Sequence, residues 1–232
     1  MLILGMDTAS KTASTAVVDG ETLKTLAEMQ SQGKLSHSEN LMPMIDSALK
    51  CAGVSLDEIG LFAVAKGPGS FTGIRIAVST AKGLAFGADS KICVGVSSLY
   101  ALAHNFCGYG GQILVLPAID ARRKQVYNAV FENLEYIKGD RVITTSELEA
   151  ELNSEFSGRR VAFLGDGAAM CEEIDFPGIV KIPDMLKAPS AASLCSAAYD
   201  QYKKGQAEHP RSLSPAYIIK TQAEREYGNG KK

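Results

Sequence analysis

The sequence has no tryptophan, only three histidines, and no apolar run long enough to cross a membrane. A membrane-spanning helix needs about 18 or more consecutive apolar residues. The first residues, MLILGMDTAS, lack the basic region of a signal peptide and are typical of a β-strand. The eight phenylalanines and eight tyrosines of the chain are scattered, so no aromatic platform for stacked bases stands out. We therefore expect neither a membrane span nor a signal peptide.

The sequence also lacks closely spaced cysteines and an excess of positive charge. The five cysteines form no Cys-x-x-Cys motif, and their odd number and wide spacing favour free thiols in a reducing cytoplasm over disulfides or a zinc site. Lys and Arg number 24 against 26 Asp and Glu, a net charge of −2. This balance argues against nucleic-acid binding by the chain alone, although it is compatible with a local basic patch.

The 232 residues are 46% hydrophobic and 22% charged, which excludes disordered and fibrous classes and favours one large domain or two lobes. Hydrophobic patterning predicts strands 2–7, 13–18, 22–29, 61–65 and 92–96 and helices 35–52, 71–86 and 97–105. It then predicts strands 113–119, 125–131, 136–144, 161–164 and 179–182 and helices 146–156 and 189–204. A capping box suggests Ser146 as N-cap with Glu149.

One order of predicted elements occurs twice, beginning near residue 2 and again near residue 113. It consists of three strands, a helix and a further strand. We therefore predict an α/β protein of two actin-like lobes (ribonuclease H-like, of the sugar-kinase and ATPase superfamily), each a mixed sheet flanked by helices. The N-terminal lobe would span 1–107 and carry partner-binding helices. The C-terminal lobe would span 108–232, its last helix and tail packing back on the first lobe.

In such proteins nucleotide lies between the lobes, and turns after the first strand of each lobe hold its phosphates. Asp7 and Asp120 occupy the corresponding positions, although Asp at a strand end also often caps a turn. Active members favour Asp-x-Gly-Thr, whereas this chain has Ala9 in place of the glycine and no glycine in the second turn. We expect vestigial phosphate turns, comprising Asp7, Thr8, Ser10 and Asp120.

A glycine-rich loop separates strand 61–65 from the next helix and comprises Gly67, Pro68, Gly69, Ser70, Phe71, Gly73 and Arg75. Glycines there permit close backbone approach, and a helix N-terminus suits an anion. The loop is not a dinucleotide fingerprint, which needs glycine where Thr72 stands, nor a P-loop, which ends in Gly-Lys-Ser/Thr. Two interpretations stay open for this loop: anion binding, or a tight strand-to-helix turn packed against something large.

The helix after this loop has small residues along one side. The stripe comprises Thr72, Ile76, Ser79, Gly83 and Phe86, whereas Ile74, Val78, Ala81 and Ala85 on the other side can face the core. Small residues let another backbone approach closely, either a partner's or the chain's own. Together with the preceding helix, they predict a partner or dimer interface that also includes Leu41, Met42, Ile45 and Leu49.

The segment GPGSFTGIRIAVSTAKGLAF at 67–86 closely resembles the hallmark of the TsaB family, also called YeaZ. Further agreement comes from LILGMDTAS, LSHSENLMPMID at 35–46, AIDARRKQVYNAVF at 118–131, FLGDG at 163–167 and PAYIIKTQAERE at 215–226. The resemblance spans nearly the whole chain. Lys220 departs from it, because the family more often has arginine there.

The resemblance implies a non-catalytic scaffold that binds and activates a TsaD-like transferase in tRNA threonylcarbamoyladenosine modification. A TsaE-like ATPase would join the complex, tRNA would be met through the complex, and the chain alone would form a homodimer. ATP or ADP would bind only in the assembled complex. TsaD-like enzymes carry a His-x-x-x-His metal pair, but here His37 is followed by Leu41, so we expect no metal.

Two other functions remain as alternatives. An active actin-like ATPase or kinase would use Asp7, Asp120 and the loop at 67–73 around a nucleotide. A glycoprotease-like peptidase would need a nucleophile, base and acid, for which Ser70, His37 and Asp7 can be named, although their spacing does not favour it. The basic run at 122–124 is either a solvated turn or a contact to tRNA phosphates.

Overall fold

The computed structural model describes residues 1–33, 36–86, 91–106 and 112–218. The first sheet has the order β3-β2-β1-β4-β5, with β1 antiparallel to β2 and parallel to β4. Its strands are β1 (Leu2–Asp7), β2 (Ala13–Asp19), β3 (Lys24–Ser31), β4 (Ile59–Gly67) and β5 (Ile92–Ser97). The second sheet has the order β8-β7-β6-β9, with strands β6 (Ile113–Asp120), β7 (Gln125–Glu132), β8 (Glu135–Thr144) and β9 (Arg160–Leu164).

Helices flank both sheets. They are α1 (His37–Ala52), α2 (Phe71–Leu84), α3 (Ser98–His104), α4 (Thr145–Glu155), α5 (Ala168–Cys171), α6 (Asp184–Lys187) and α7 (Ala191–Lys203), with a 3-10 turn at Leu56–Glu58. Helix α1 packs on β2 and β3, α2 packs on β4, and α3 contacts strands of both sheets. The two mixed sheets and this strand order confirm the predicted actin-like α/β fold.

The central strands are buried on both faces, because helices cover the first sheet from either side. All residues of β1 after Leu2 are buried, although successive side chains point to opposite faces. Helix α7 approaches this strand at Gly5, where an added Cβ would lie 2.6 Å from the Cys195 sulfur and 2.7 Å from the Ala191 carbonyl oxygen. Glycine at this position therefore lets the last described helix pack directly on the first sheet.

Three details of the secondary structure differ from the sequence-based expectation. Helix α4 is capped by Thr144 with Glu147, so the predicted cap at Ser146 is wrong by two residues, because the sequence offers two overlapping capping boxes. Residues 179–182 do not form a strand and contribute only a bridge between Ile179 and Val161. The short helices α5 and α6 were not predicted. Leu35, the junction at 107–111 and the tail at 219–232 lie outside the described residues.

A buried carboxylate ends β1. Asp7 is almost fully buried, and its Oδ1 accepts a hydrogen bond of 2.8 Å from the Ala9 N–H. Burial raises the pKa of Asp7 to about 6, and nearby Asp166 adds to the rise, whereas the Ala9 N–H and His37 oppose it. The fold therefore favours the protonated carboxyl, and its stability falls as the pH rises from about 4 to about 6.

The substitution Asp7→Asn should remove this pH dependence, because the amide keeps an acceptor for Ala9 and does not ionise. The stability of the variant relative to the wild type should rise by about 2 kcal/mol between pH 4.0 and 7.5, measured by urea unfolding. The matched control is Asp175→Asn, which makes the same chemical change at an exposed carboxylate and is measured in the same way. An Asp7→Asn effect of the same size at both pH values would contradict the assignment.

Candidate functional site

A cleft of about 760 Å³ opens between the two lobes. Its walls are the turn after β1, the N-terminus of α2, the turn after β6, Asp166 beyond β9, and residues 216–218. The carboxyl ends of β1 and β6 therefore meet at one place, as expected for ligand sites in α/β sheets. Of the predicted phosphate turns, Ser10 and Asp120 line the cleft, whereas Asp7 and Thr8 are buried and do not line it.

The glycine-rich loop fits against the first turn through its backbone. A Cβ added to Gly73 would lie 1.8 Å from the Thr8 carbonyl oxygen, and one added to Gly69 would lie 2.2 Å from that of Ala9. The Ser70 N–H donates to the Ala9 carbonyl at 2.6 Å, and the Thr8 hydroxyl donates to the Gly73 carbonyl at 2.7 Å. These contacts explain two glycines without a ligand, and anion binding by the loop stays a prediction.

Asp166 links the two lobes across the floor of the cleft. Its Oδ1 accepts the Asp120 N–H at 3.0 Å, and its Oδ2 accepts the Lys11 N–H at 3.4 Å. The Lys11 ammonium lies 3.9 Å from the Asp120 carboxylate. Nearby, the His37 Nε2 lies 2.7 Å from the Ser10 carbonyl oxygen, so that nitrogen carries the proton. Asp166 was not among the predicted site residues, although the Gly-Asp-Gly turn after a strand was a usable signal.

The second turn is a tight hairpin. Asp120 caps it, since its Oδ1 accepts the Arg122 N–H at 2.7 Å. Three consecutive residues have positive φ, namely +67° at Arg122, +53° at Arg123 and +58° at Lys124, and all three are exposed. The Gln125 N–H donates to the Arg122 carbonyl at 3.0 Å and closes the turn. Asp120 therefore performs the turn-capping role that the sequence left open.

The two sides of α2 differ as the sequence predicted. Ile74, Val78, Ala81 and Ala85 are buried in the core. On the outer face, Thr72, Ser79 and Gly83 are exposed and Ile76 is half-buried, while Phe86 just beyond the helix is 83% exposed. An added Cβ on Gly83 would meet no atom within 4 Å, so internal packing does not require glycine there.

Helix α1 corrects part of the predicted interface. Leu41 and Ile45 are buried in the hydrophobic core, together with Ala48 one turn further on. They face β2 and β3, so they are not available to a partner, and that part of the prediction is wrong. Met42 is half-exposed and Leu49 is half-buried, and α1 lies beside α2. The face available to a partner is therefore the outer side of α2 with Met42.

Residues 215–218 return to the start of α2 and complete the cleft. The Ala216 N–H donates to the Lys66 carbonyl at 2.7 Å. Tyr217 stacks on Phe71 with ring centroids 4.9 Å apart, and its hydroxyl accepts a bond of 2.8 Å from the Arg75 Nε. The Arg75 guanidinium lies 3.9 Å above the Phe71 ring. The sequence matched the family at 215–226, but no local signal connected Tyr217 with the loop.

Within the described ranges, no group of three or more His, Cys, Asp or Glu side chains could hold a metal ion. None of the helices described is both long and apolar enough to cross a membrane. The absence of a bound metal stays a prediction.

Known proteins resemble the chain in sequence over most of its length. The family model described as TsaD, tRNA N6-adenosine threonylcarbamoyltransferase, matches residues 26–227. The tRNA threonylcarbamoyladenosine biosynthesis protein TsaB of Escherichia coli is 30% identical over 223 residues, 94% of each chain. TsaB of Bacillus subtilis is 34% identical over 178 residues, 75% of each chain.

Solved structures agree with these relatives. YeaZ from Pseudomonas aeruginosa superimposes with a TM-score of 0.75 at 25% identity, covering 93% of this chain and 99% of that one. A second Pseudomonas aeruginosa structure, described as similar to peptidase YeaZ, has a TM-score of 0.78 at 24% identity and shows the same fold. The family model carries the name of the transferase, whereas both of these curated relatives, matched over 94% and 75% of the chain, are TsaB proteins. The chain therefore belongs to the TsaB family, also called YeaZ.

Proposed function

We propose that this chain is a scaffold and activator subunit for tRNA threonylcarbamoyladenosine biosynthesis, the process named for its relatives. It binds a TsaD-like transferase and does not carry out the chemistry itself. The observation that supports the proposal most strongly is that small and apolar residues are accessible on the outer face of α2. This face is defined here as Thr72, Ile76, Ser79, Gly83 and Phe86, and α1 adds Met42 to it. This role would place the chain in the cytoplasm.

Two features of the outer face of α2 favour a protein partner. Gly83 inside a helix costs about 1 kcal/mol relative to alanine, and no internal contact explains it. A partner helix that approaches closely would explain it, because a small residue lets two backbones come together. Phe86 is 83% exposed and Met42 is 47% exposed, and burying such side chains stabilises a complex.

The partner is inferred from the fold shared with the transferase family. The TsaD family model covers residues 26–227, which include both α1 and α2. A TsaD-like transferase would therefore carry helices of the same kind, and the two proteins would join them in a helix bundle. A second copy of the chain would use the same face in a homodimer when the partner is missing. A TsaE-like ATPase and tRNA would join through the complex, and ATP or ADP would bind only there.

The contacts in the cleft do not favour the catalytic alternatives. The first turn is packed against Gly69 and Gly73, and the second is closed by its own backbone. The residues named for a peptidase are bonded to backbone groups: Ser70 accepts the Gly73 N–H, Asp7 accepts the Ala9 N–H, and His37 meets the Ser10 carbonyl. We infer a non-catalytic subunit.

The purified chain alone should neither hydrolyse ATP nor modify tRNA, because both phosphate turns lack glycine, the first packs against the glycine-rich loop and the second is closed by its own backbone. Phosphate release from ATP and threonylcarbamoyladenosine formation on tRNA are the two readouts. Turnover well above the blank that disappears in Asp7→Ala would support the ATPase alternative and contradict the non-catalytic role.

The substitution Ser79→Arg should abolish binding to the transferase without unfolding the chain. Ser79 is exposed, so the change should alter stability by less than about 0.5 kcal/mol. At a closely packed helix interface, an unpaired charge costs several kcal/mol, so affinity should fall at least about a hundredfold. Titration calorimetry with a TsaD-like protein from the same cell and thermal unfolding measure the two effects.

The matched control is Ser154→Arg, an exposed helical serine of α4 in the second lobe. It should bind the transferase as the wild type does. Ser79→Arg that unfolds the isolated chain would show that the stripe serves internal packing. A folded Ser79→Arg that still binds tightly would place the interface elsewhere.

A further inference from the structure

The basic turn, residues 122–124, presents three exposed positive charges, and its first residue, Arg122, lines the cleft. Among the described residues, no carboxylate lies within ion-pair distance of Arg122, Arg123 or Lys124. The two carboxylates nearest the turn in the cleft are already engaged: Asp120 accepts the Arg122 N–H, and Asp166 accepts two backbone N–H groups. The chain as a whole has a net charge of −2, whereas this turn is locally positive.

The backbone of the basic turn is fixed, although its side chains are exposed. The Ala121 N–H donates to the Gln125 carbonyl at 3.0 Å, and the Thr145 N–H donates to the Lys124 carbonyl at 3.2 Å. Left-handed φ values are unfavourable for residues with a Cβ, and here they occur three times in succession. The three cations therefore project from a rigid support, which lowers the entropic cost of binding an anionic chain.

Aromatic rings line the same cleft as Arg122. Phe71 and Tyr217 form the stacked pair described above and remain 39% and 40% exposed. Tyr127, on the strand that follows the basic turn, also lines the cleft. Exposed rings beside a row of cations are the combination by which proteins hold single-stranded nucleic acid, with bases on the rings and phosphates on the cations.

We propose that this cleft binds a single-stranded stretch of RNA. The basic turn contacts consecutive phosphates, and one unstacked base lies against the Phe71–Tyr217 pair. Double-stranded RNA fits less well, because its bases are stacked and paired and cannot reach the rings. The inference rests on the proposed function, since the relatives are named for tRNA modification, and it adds a direct RNA contact by this chain.

The test is fluorescence anisotropy of a labelled single-stranded RNA nonamer with the purified chain at 50 mM salt. The triple variant Arg122→Gln, Arg123→Gln, Lys124→Gln should bind at least about tenfold more weakly and show a flatter salt dependence. Glutamine removes the charge and, like arginine and lysine, is unbranched at Cβ, so the backbone strain at positive φ should stay about the same. Tyr217→Ala should weaken binding about fivefold or more, and Tyr217→Phe should restore it, because phenylalanine retains the stacking surface.

A control variant removes three charges away from the cleft: Lys24→Gln, Lys203→Gln, Lys204→Gln. Lys24 lies beside Asp19 in the strand register, at the opposite end of the first sheet from Asp7. Lys203 and Lys204 lie at the C-terminal end of α7. This control should bind the nonamer within about twofold of the wild type. Equal loss in the control, equally good competition by a duplex or by AMP, or no binding by the wild type would overturn the inference.

Failure of this inference and failure of the proposed function give different results. Binding to the TsaD-like transferase is measured separately on the same variants, and the basic turn lies outside the outer face of α2. A wild-type chain that binds the transferase but not RNA would refute only the RNA contact. A chain that binds RNA through the basic turn but not the transferase would refute only the scaffold role.

Discussion

The fit between Gly73 and the Thr8 carbonyl is the contact on which the arrangement of the first lobe depends. It joins the beginning of α2 to the turn after β1, so close that any side chain at position 73 would overlap the carbonyl oxygen. The neighbouring bond from Ser70 to Ala9 repeats the contact one turn earlier. Because both ends of this contact are backbone, it sets the rotation of α2 and decides which of its residues face outward.

The same contact supports the proposed non-catalytic role. In an actin-like enzyme the turn after the first strand meets phosphate, whereas here it meets the chain's own loop. The cleft beneath remains open, and Asp166 ties its two walls together through Asp120 and Lys11. The molecule thus keeps the two-lobed frame and offers two separate surfaces, the outer face of α2 and the rim of the cleft.

Strands and long helices could be predicted because their signals are local. The buried strand β1 reads as an apolar run, and the core side of α2 repeats every three or four residues. The small residues on the other side of α2 could also be recognised in the sequence. The burial of Leu41 and Ile45 could not be predicted, because an apolar residue on an amphipathic helix can face either a core or an interface. Only the packing of α1 on β2 and β3 decides between them.

The site was harder to predict because it is assembled from distant segments. Asp166 contacts Lys11 across 155 positions, and Arg75 bonds Tyr217 across 142 positions. No local pattern reports such pairs. The left-handed turn at 122–124 also lacks the usual glycine or asparagine signal, so its sequence indicated charge but not geometry.

Hydrogen–deuterium exchange of the chain with and without a TsaD-like transferase tests the central claim most directly. Exchange reports which backbone segments become protected when a surface is covered. We predict protection confined to peptides from α1 and α2, with α4 and α7 unchanged. Protection centred on the second lobe, or none at a saturating concentration of the transferase, would contradict it.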